Sequence, residues 1–125
     1  MRRIALLAAL ALTACSPMPG KFGLLPGFDE PLAEDDPRIV EHPGTLSGTM
    51  GACNGLFWDH SASGKLGVLA AGGLIFGCSW HLWTVVDGRA TLVQADVYYP
   101  EGYETIRAHE RLHARGYADH PLFRF

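Results

Sequence analysis

The sequence predicts an α+β fold in which a small, mostly antiparallel sheet is followed by one C-terminal helix. Residues 79–86 alternate in a strand pattern, and residues 90–99 follow as a partner strand after the hairpin turn signal Asp-Gly at 87–88. Residues 103–115 instead gather their charged side chains at helical spacing. A strand pair followed by a helix is therefore the predicted centre of the domain.

The N-terminus has the features of a bacterial export leader. Two arginines precede the apolar run 4–12, whose nine residues are too short to cross a bilayer as a helix. The next residues, Leu-Thr-Ala-Cys, resemble the bacterial lipobox, in which the cysteine (here Cys15) is lipidated. The resemblance implies a signal peptide over residues 1–14 and a lipid-anchored, periplasm-facing chain. Ser16 is not the acidic residue that often marks inner-membrane retention, which favours the outer membrane.

Composition predicts one acidic domain on a tether. Without the leader, 111 residues remain, with eight basic and thirteen acidic side chains and a formal charge near −5. This balance, without a basic run, gives no support to nucleic-acid binding. Residues 15–43 interleave prolines and glycines with acidic residues, which predicts an extended tether. Residues 44–125 are predicted to form the compact domain.

The first half of that domain is expected to be β-structure. Residues 45–50 alternate like a strand, and the glycine-interrupted apolar stretch 66–76 is expected to form two short buried strands. In an exported domain the remaining cysteines, Cys53 and Cys78, are expected to form a disulfide that contributes about 3–4 kcal/mol. The rival interpretation, metal binding by these thiols, lacks a C-x-x-C spacing.

The strand 79–86 is apolar on both sides, so both faces are expected to be covered. His81 lies among tryptophans in this strand. A histidine in such surroundings is more often packed and hydrogen-bonded than a metal ligand, and this is the interpretation we favour for His81.

The predicted C-terminal helix carries the pattern H-E-x-x-H-x-x-G-x-x-D-H, which begins at His109. Residues four apart share a helix face, so His109 and His113 are candidate ligands of one metal ion, with Glu110 beside them. Gly116 lies where a helix C-cap is expected and would let the chain turn back toward this face.

A stripe of charged residues on the same helix indicates which side faces water. Its members lie three or four residues apart: Glu104, Arg107, Arg111 and Arg115. We therefore expect His109 and His113 to face the protein, together with Ile106. Buried imidazoles require hydrogen bonds or a metal, which favours a site over a histidine-rich surface helix.

At His109, Glu110, His113 and Gly116 the chain resembles the zinc peptidases called zincins. More narrowly, it is similar to the metzincins, and Asp119 occupies the third-ligand position as in their snapalysin-type members. The resemblance covers about twelve residues. It implies a minimal zincin-like fold.

The resemblance also implies a set of roles. The two motif histidines and either His120 or Asp119 would hold Zn²⁺, and Glu110 would act as the base. His120 is favoured as the ligand because imidazole suits zinc, and Asp119 would then orient a ligand. Tyr117 and Tyr103 are candidate oxyanion donors.

The resulting expectation is a membrane-anchored zinc peptidase of the bacterial envelope that acts on a peptide or protein substrate. An exposed strand over residues 96–99 would pair with the substrate backbone. Two alternatives stay open: a non-catalytic structural or partner-binding lipoprotein, and a metal-binding or metal-delivery lipoprotein. Glu110 favours the enzyme, because metal storage has no need of a carboxylate beside the first ligand.

Overall fold

The computed structural model describes residues 23–118 of the chain, and within this range it contains three strands and three helices. The strands are β1 (Ile39–Gly44), β2 (Cys78–Val86) and β3 (Arg89–Pro100). The helices are α1 (Leu46–His60), α2 (Ala62–Ala70) and α3 (Glu104–Ala114). The predicted α+β class is confirmed. The expectation of one helix is wrong, since two further helices precede the hairpin.

The sheet has the strand order β1-β3-β2. Strand β3 is antiparallel to β2, as the hairpin signal predicted, but it is parallel to β1, so the sheet is mixed. The hairpin turns at Asp87 and Gly88, both with positive φ, as a tight two-residue turn requires. Because β3 is central and paired on both sides, residues 96–99 are not an exposed strand, and that expectation is wrong.

Helices cover both faces of the sheet. On one face α3 packs against the core formed by Ala95, Val97 and Tyr99, which alternate along β3. On the other face the predicted disulfide joins Cys53 of α1 to Cys78 of β2, which confirms that pairing. The sheet is thus the middle of three layers, and its two faces have different partners.

The strand predicted over residues 45–50 is instead the start of α1. The side chain of Thr45 caps this helix by accepting a hydrogen bond from the N–H of Gly48 at 3.0 Å. Thr49 and Cys53, four residues apart, are its buried positions, which is a helical spacing. The cap and the disulfide therefore outweigh a local alternation that was only six residues long.

The apolar stretch 66–76 is not a pair of buried strands. Its first part lies in α2, which Ser61 caps through the N–H of Gly64 at 2.9 Å. Leu66 and Leu69 of α2 are 64% and 65% exposed. The expectation of burial was wrong because hydrophobic composition alone does not determine which side of a helix meets a partner.

The outer half of the hairpin extends beyond the helical layers. Leu82, Val85 and Val86 are at least half exposed. The expectation that both faces of β2 are covered is therefore wrong for the part of the strand that follows His81. The side chain of His81 itself contacts Ala114, the last residue of α3.

Candidate functional site

The buried face of α3 is centred on Ile106, Glu110 and Ala114, which lie four residues apart. Glu110 is only 9% exposed. The helix comes close to the start of β2, since a Cβ on Gly77 would lie 2.5 Å from Cγ2 of Ile106 and 3.1 Å from Cγ of Glu110. Glycine at position 77 is therefore required for this approach, and it helps to fix where the Glu110 carboxyl is held.

His109 and His113 flank this buried stripe and are half-buried. Sequence periodicity predicted that both would face the protein with Ile106. In the structure Glu110 takes the central position, and the two imidazoles lie along one side of it. The motif thus presents two ring nitrogens at the edge of the core and a carboxyl within it.

The two imidazoles converge on one another. Their Nε2 atoms are 3.1 Å apart, and the ring planes are nearly perpendicular at 81°. Nδ1 of His113 lies 2.8 Å from the carbonyl oxygen of Tyr117. A carbonyl only accepts, so Nδ1–H of His113 donates to it. The two Nε2 atoms lie within hydrogen-bonding distance of each other.

The turn after α3 brings the Tyr117 carbonyl back to His113. The N–H of Gly116 donates to the carbonyl of His113 at 2.9 Å, and the N–H of Tyr117 donates to that of Leu112 at 3.1 Å. This is the Schellman arrangement of a helix end, and Gly116 has the positive φ, +107°, that it requires. The C-cap predicted at Gly116 is confirmed, and it fixes the orientation of the His113 ring.

An N-terminal strap, defined as residues 23–36, lies across this helix end. The N–H of Leu25 donates to the carbonyl of Gly116 at 2.7 Å, and the N–H of Ala118 donates to that of Gly23 at 2.9 Å. Phe28 packs directly over Gly116, where a Cβ would lie 2.6 Å from its ring. The strap therefore holds the segment that orients His113. Residues 1–22, with Cys15, lie outside the described range.

His81 is a packed residue beside the site, as predicted. Its Nε2 lies 3.1 Å from the carbonyl oxygen of Ala114, and the Phe28 ring meets its ring edge-on at a centroid distance of 5.2 Å. Burial lowers the pKa of His81 below its ordinary value. The ring is therefore neutral at pH 7 and donates Nε2–H to the end of α3.

The arginine stripe of α3 does not simply face water. Nε of Arg107 and Nη1 of Arg111 lie 2.9 Å and 2.7 Å from Oε1 of Glu41 in β1, and the Tyr99 hydroxyl donates to Oε2. Burial raises the pKa of Glu41, but the hydrogen bonds from both arginines outweigh burial, and the pKa lies below its ordinary value. The predicted water side of the helix is therefore an ion-pair contact with the sheet.

The candidate oxyanion donors lie at opposite ends of α3. Tyr103 is the residue before the first turn, is 49% exposed, and lies about 9 Å along the helix axis from His109. The ring of Tyr117 stacks with Arg115, at 5.4 Å from Cζ to the ring centroid. The backbone carbonyl of Tyr117, rather than its phenol, is the group that contacts His113.

The described residues do not contain a complete metal centre. Across residues 23–118, no three His, Cys, Asp or Glu side chains come together in a group that could hold a metal ion. The resemblance to the zincins, which requires three protein ligands, is therefore wrong for this part of the chain. The expected third ligand, His120 or Asp119, lies outside the described residues.

Comparison of the chain with protein-family models, with curated proteins and with solved structures finds no significant match. Within residues 23–118, no helix combines the length and the apolar character needed to cross a membrane.

Three contributors to the site were not expected from the sequence: Gly77, the Tyr117 carbonyl and Glu41. Gly77 stood in a glycine-rich stretch with no pattern that singled it out. The contact of the Tyr117 carbonyl could have been predicted from Gly116, because a glycine at a helix C-cap turns the carbonyl groups that follow it back toward the last helical turn. No feature of the sequence predicted the ion pairs of Glu41, since its partners are 66 and 70 residues away.

Proposed function

We propose that the chain is a zinc-dependent peptidase held in the bacterial cell envelope by a lipid on Cys15. The observation that carries the proposal is the convergence of the His109 and His113 Nε2 atoms, 3.1 Å apart, on the helix turn that buries Glu110. These contacts support the peptidase activity, and the resemblance of residues 12–15 to the lipobox supports the lipid anchor.

The geometry of the pair supports metal binding. Two nitrogens bound to one zinc ion at 2.0–2.1 Å and a tetrahedral angle are about 3.3 Å apart, close to the separation found here. The bond from Nδ1 of His113 to the Tyr117 carbonyl is the kind of contact that keeps a metal-binding imidazole in the correct tautomer. His109 and His113 would supply two ligands, and we propose His120 as the third, with Asp119 as the alternative.

When bound, zinc would supply a Lewis acid and an open position for water. Glu110 would accept a proton at a carboxylate oxygen from the attacking water, while the water oxygen bonds to the peptide carbonyl carbon. The carbon–nitrogen bond would then break, and Glu110 would return the proton to the leaving amine. Burial against Gly77 supports this role, because a base that is already held in place loses little orientational entropy when it reacts.

A second candidate function is a non-catalytic envelope lipoprotein. It is favoured by the hydrogen bonding of the pair, in which the two Nε2 atoms contact each other and Nδ1–H of His113 donates to the Tyr117 carbonyl. Such a chain of bonds satisfies these ring atoms without a metal, as a purely structural helix end would. The two functions differ in zinc content and in hydrolysis.

The test compares wild type with Glu110→Gln, using the exported full-length protein purified in detergent. Zinc is measured by elemental analysis and hydrolysis with labelled casein. We expect about one zinc per chain in both proteins, and a loss of hydrolysis on the order of 10²–10⁴-fold in the variant, as removal of a general base predicts.

Glu104→Gln is the matched control, because Glu104 is an exposed carboxylate on the same helix that contacts Arg107. It is expected to keep both zinc and activity. Absence of zinc from wild type would overturn the proposal, and full hydrolysis by Glu110→Gln would remove Glu110 from the mechanism. Stoichiometric zinc without hydrolysis in wild type would favour a metal-binding lipoprotein.

A further inference from the structure

Four large apolar side chains are exposed in and just after α2. Leu66, Leu69, Leu74 and Phe76 are 64%, 65%, 59% and 43% exposed, and together they are called the apolar patch. Leu66 and Leu69 lie three apart on one face of the helix. A turn hydrogen bond from the N–H of Leu74 to the carbonyl of Ala71 keeps the following chain near the helix end. Several exposed large apolar side chains within one short stretch of the chain indicate an interaction site.

The charge around the patch differs from that of the rest of the chain. Residues 61–78 contain one lysine and no carboxylate, although the chain without its leader has a formal charge near −5. Nζ of Lys65 lies 5.7 Å from the ring centroid of Trp58, which is 43% exposed. A lysine and a tryptophan beside apolar side chains are typical of surfaces at the lipid headgroup boundary.

We infer that the apolar patch docks the domain on the surface of the membrane that holds its lipid anchor. This inference rests on the lipid anchoring proposed above. The chain from Cys15 to Gly23 spans at most about 26–29 Å when extended. A domain of this size has a radius of gyration of about 13 Å. The anchor would therefore keep the domain close to the bilayer, within about one domain diameter of it.

The charges favour a membrane over a second copy of this chain. A two-fold dimer through the patch would bring the same face of each copy together, and so would bring Lys65 near its counterpart between two acidic domains. At an anionic bilayer Lys65 is attracted instead, and residues 61–78, which carry the patch, contribute no carboxylate, the exposed Asp59 beside Trp58 being the acidic residue next in sequence. The apolar side chains then enter the headgroup boundary, as in other proteins that lie on membranes.

The test uses the exported chain of residues 16–125 without its lipid, which retains every described element. Vesicles of phosphatidylethanolamine and phosphatidylglycerol are sedimented with wild type, with Leu66→Ser/Leu69→Ser and with Val85→Ser. Val85 is the matched control, because it is 72% exposed on the hairpin, outside the patch. We expect the double variant to lose partitioning on the order of tenfold, and Val85→Ser to lose little.

Lys65→Glu provides a second, independent readout. It is expected to weaken binding to these anionic vesicles and to change binding to neutral phosphatidylcholine vesicles little. Failure of wild type to sediment would overturn the inference, as would equal losses in the patch and hairpin variants. Patch-dependent dimers in sedimentation velocity without vesicle binding would assign the patch to a second copy. Because no acyl chain is present, these outcomes are independent of whether Cys15 is lipidated or Glu110 is catalytic.

Discussion

Gly116 contributes in two ways to the end of α3. Its φ of +107° completes the Schellman turn, and its missing side chain leaves room for the Phe28 ring. The first role was evident in the sequence, because a glycine just after a helical pattern is a familiar C-cap. The second was not, since Phe28 is 88 residues away and no local pattern connects the two positions.

Gly116→Ala is expected to destabilise the fold by about 2–4 kcal/mol, from left-handed backbone strain together with the clash against Phe28. Urea unfolding measures the loss. Gly102→Ala is the control, because Gly102 also has a positive φ, +87°, but a Cβ there would meet nothing within 4 Å. It is expected to cost about 1 kcal/mol. Equal losses in the two variants would show that Phe28 does not pack on Gly116 as described.

The candidate site was predictable to the extent that one helix defines it. Spacing placed His109 and His113 on adjacent turns, and the structure brings their ring nitrogens together. The carbonyl that orients His113 comes from the backbone after the helix, and backbone contacts leave little trace in side-chain patterns. The position of Glu110 at the centre of the buried face also depended on the close approach of Gly77.

At the scale of elements, the hairpin and α3 were predictable and α1 and α2 were not. The hairpin has a two-residue turn signal between β-branched and aromatic runs, and α3 has a strong charged stripe, so local sequence determines both. Helices α1 and α2 are rich in glycine and small residues, which have weak preferences for any element. Each helix begins at a local side-chain cap, from Thr45 in α1 and from Ser61 in α2, and α1 is also fixed by a disulfide to a cysteine 25 residues away, which no local pattern connects to it.

The disulfide ties α1 to β2 and closes a loop with a sequence separation of 25. Replacing both Cys53 and Cys78 by serine is expected to reduce the free energy of unfolding by about 3.5 kcal/mol, the chain-entropy value for such a loop. Thermal unfolding with and without reductant measures the loss. Reductant should lower the Tm of wild type and leave the double variant unchanged. A wild-type Tm that is insensitive to full reduction would contradict the expected stabilisation.

For the molecule as a whole, ion pairs make stability dependent on acid: Glu41 joins β1 to α3, and Asp36 pairs locally with Arg38. The pKa of Glu41 is below its ordinary value of 4.5, and hydrogen bonds from Arg38 lower the pKa of Asp36 to about 2. Both carboxyls therefore stabilise the fold when ionised. Their contribution is complete above the unfolded-state pKa and is lost as the pH falls through the folded-state pKa.

Glu41→Gln is expected to lower the free energy of unfolding by about 1–3 kcal/mol at pH 7, because two arginines lose a charged partner. The difference from wild type should shrink below pH 4.5, as Glu41 of wild type becomes protonated. Urea unfolding at pH 7, 4 and 3 measures it. A difference that stays constant down to pH 3 would show that the Glu41 charge is not what stabilises β1 against α3.

The contacts between the strap and the end of α3 have a consequence for how the chain folds. Leu24 pairs with Tyr117, and β1 pairs in parallel with β3, so these contacts join distant parts of the sequence. Such closures form slowly, because the entropy of a long loop is lost before its contacts are gained. The hairpin and α3 can form early from local contacts, whereas the strap must wait until Gly116 and Tyr117 are in place at the end of α3. The carbonyl that orients His113 is thus secured late, after most of the core has assembled.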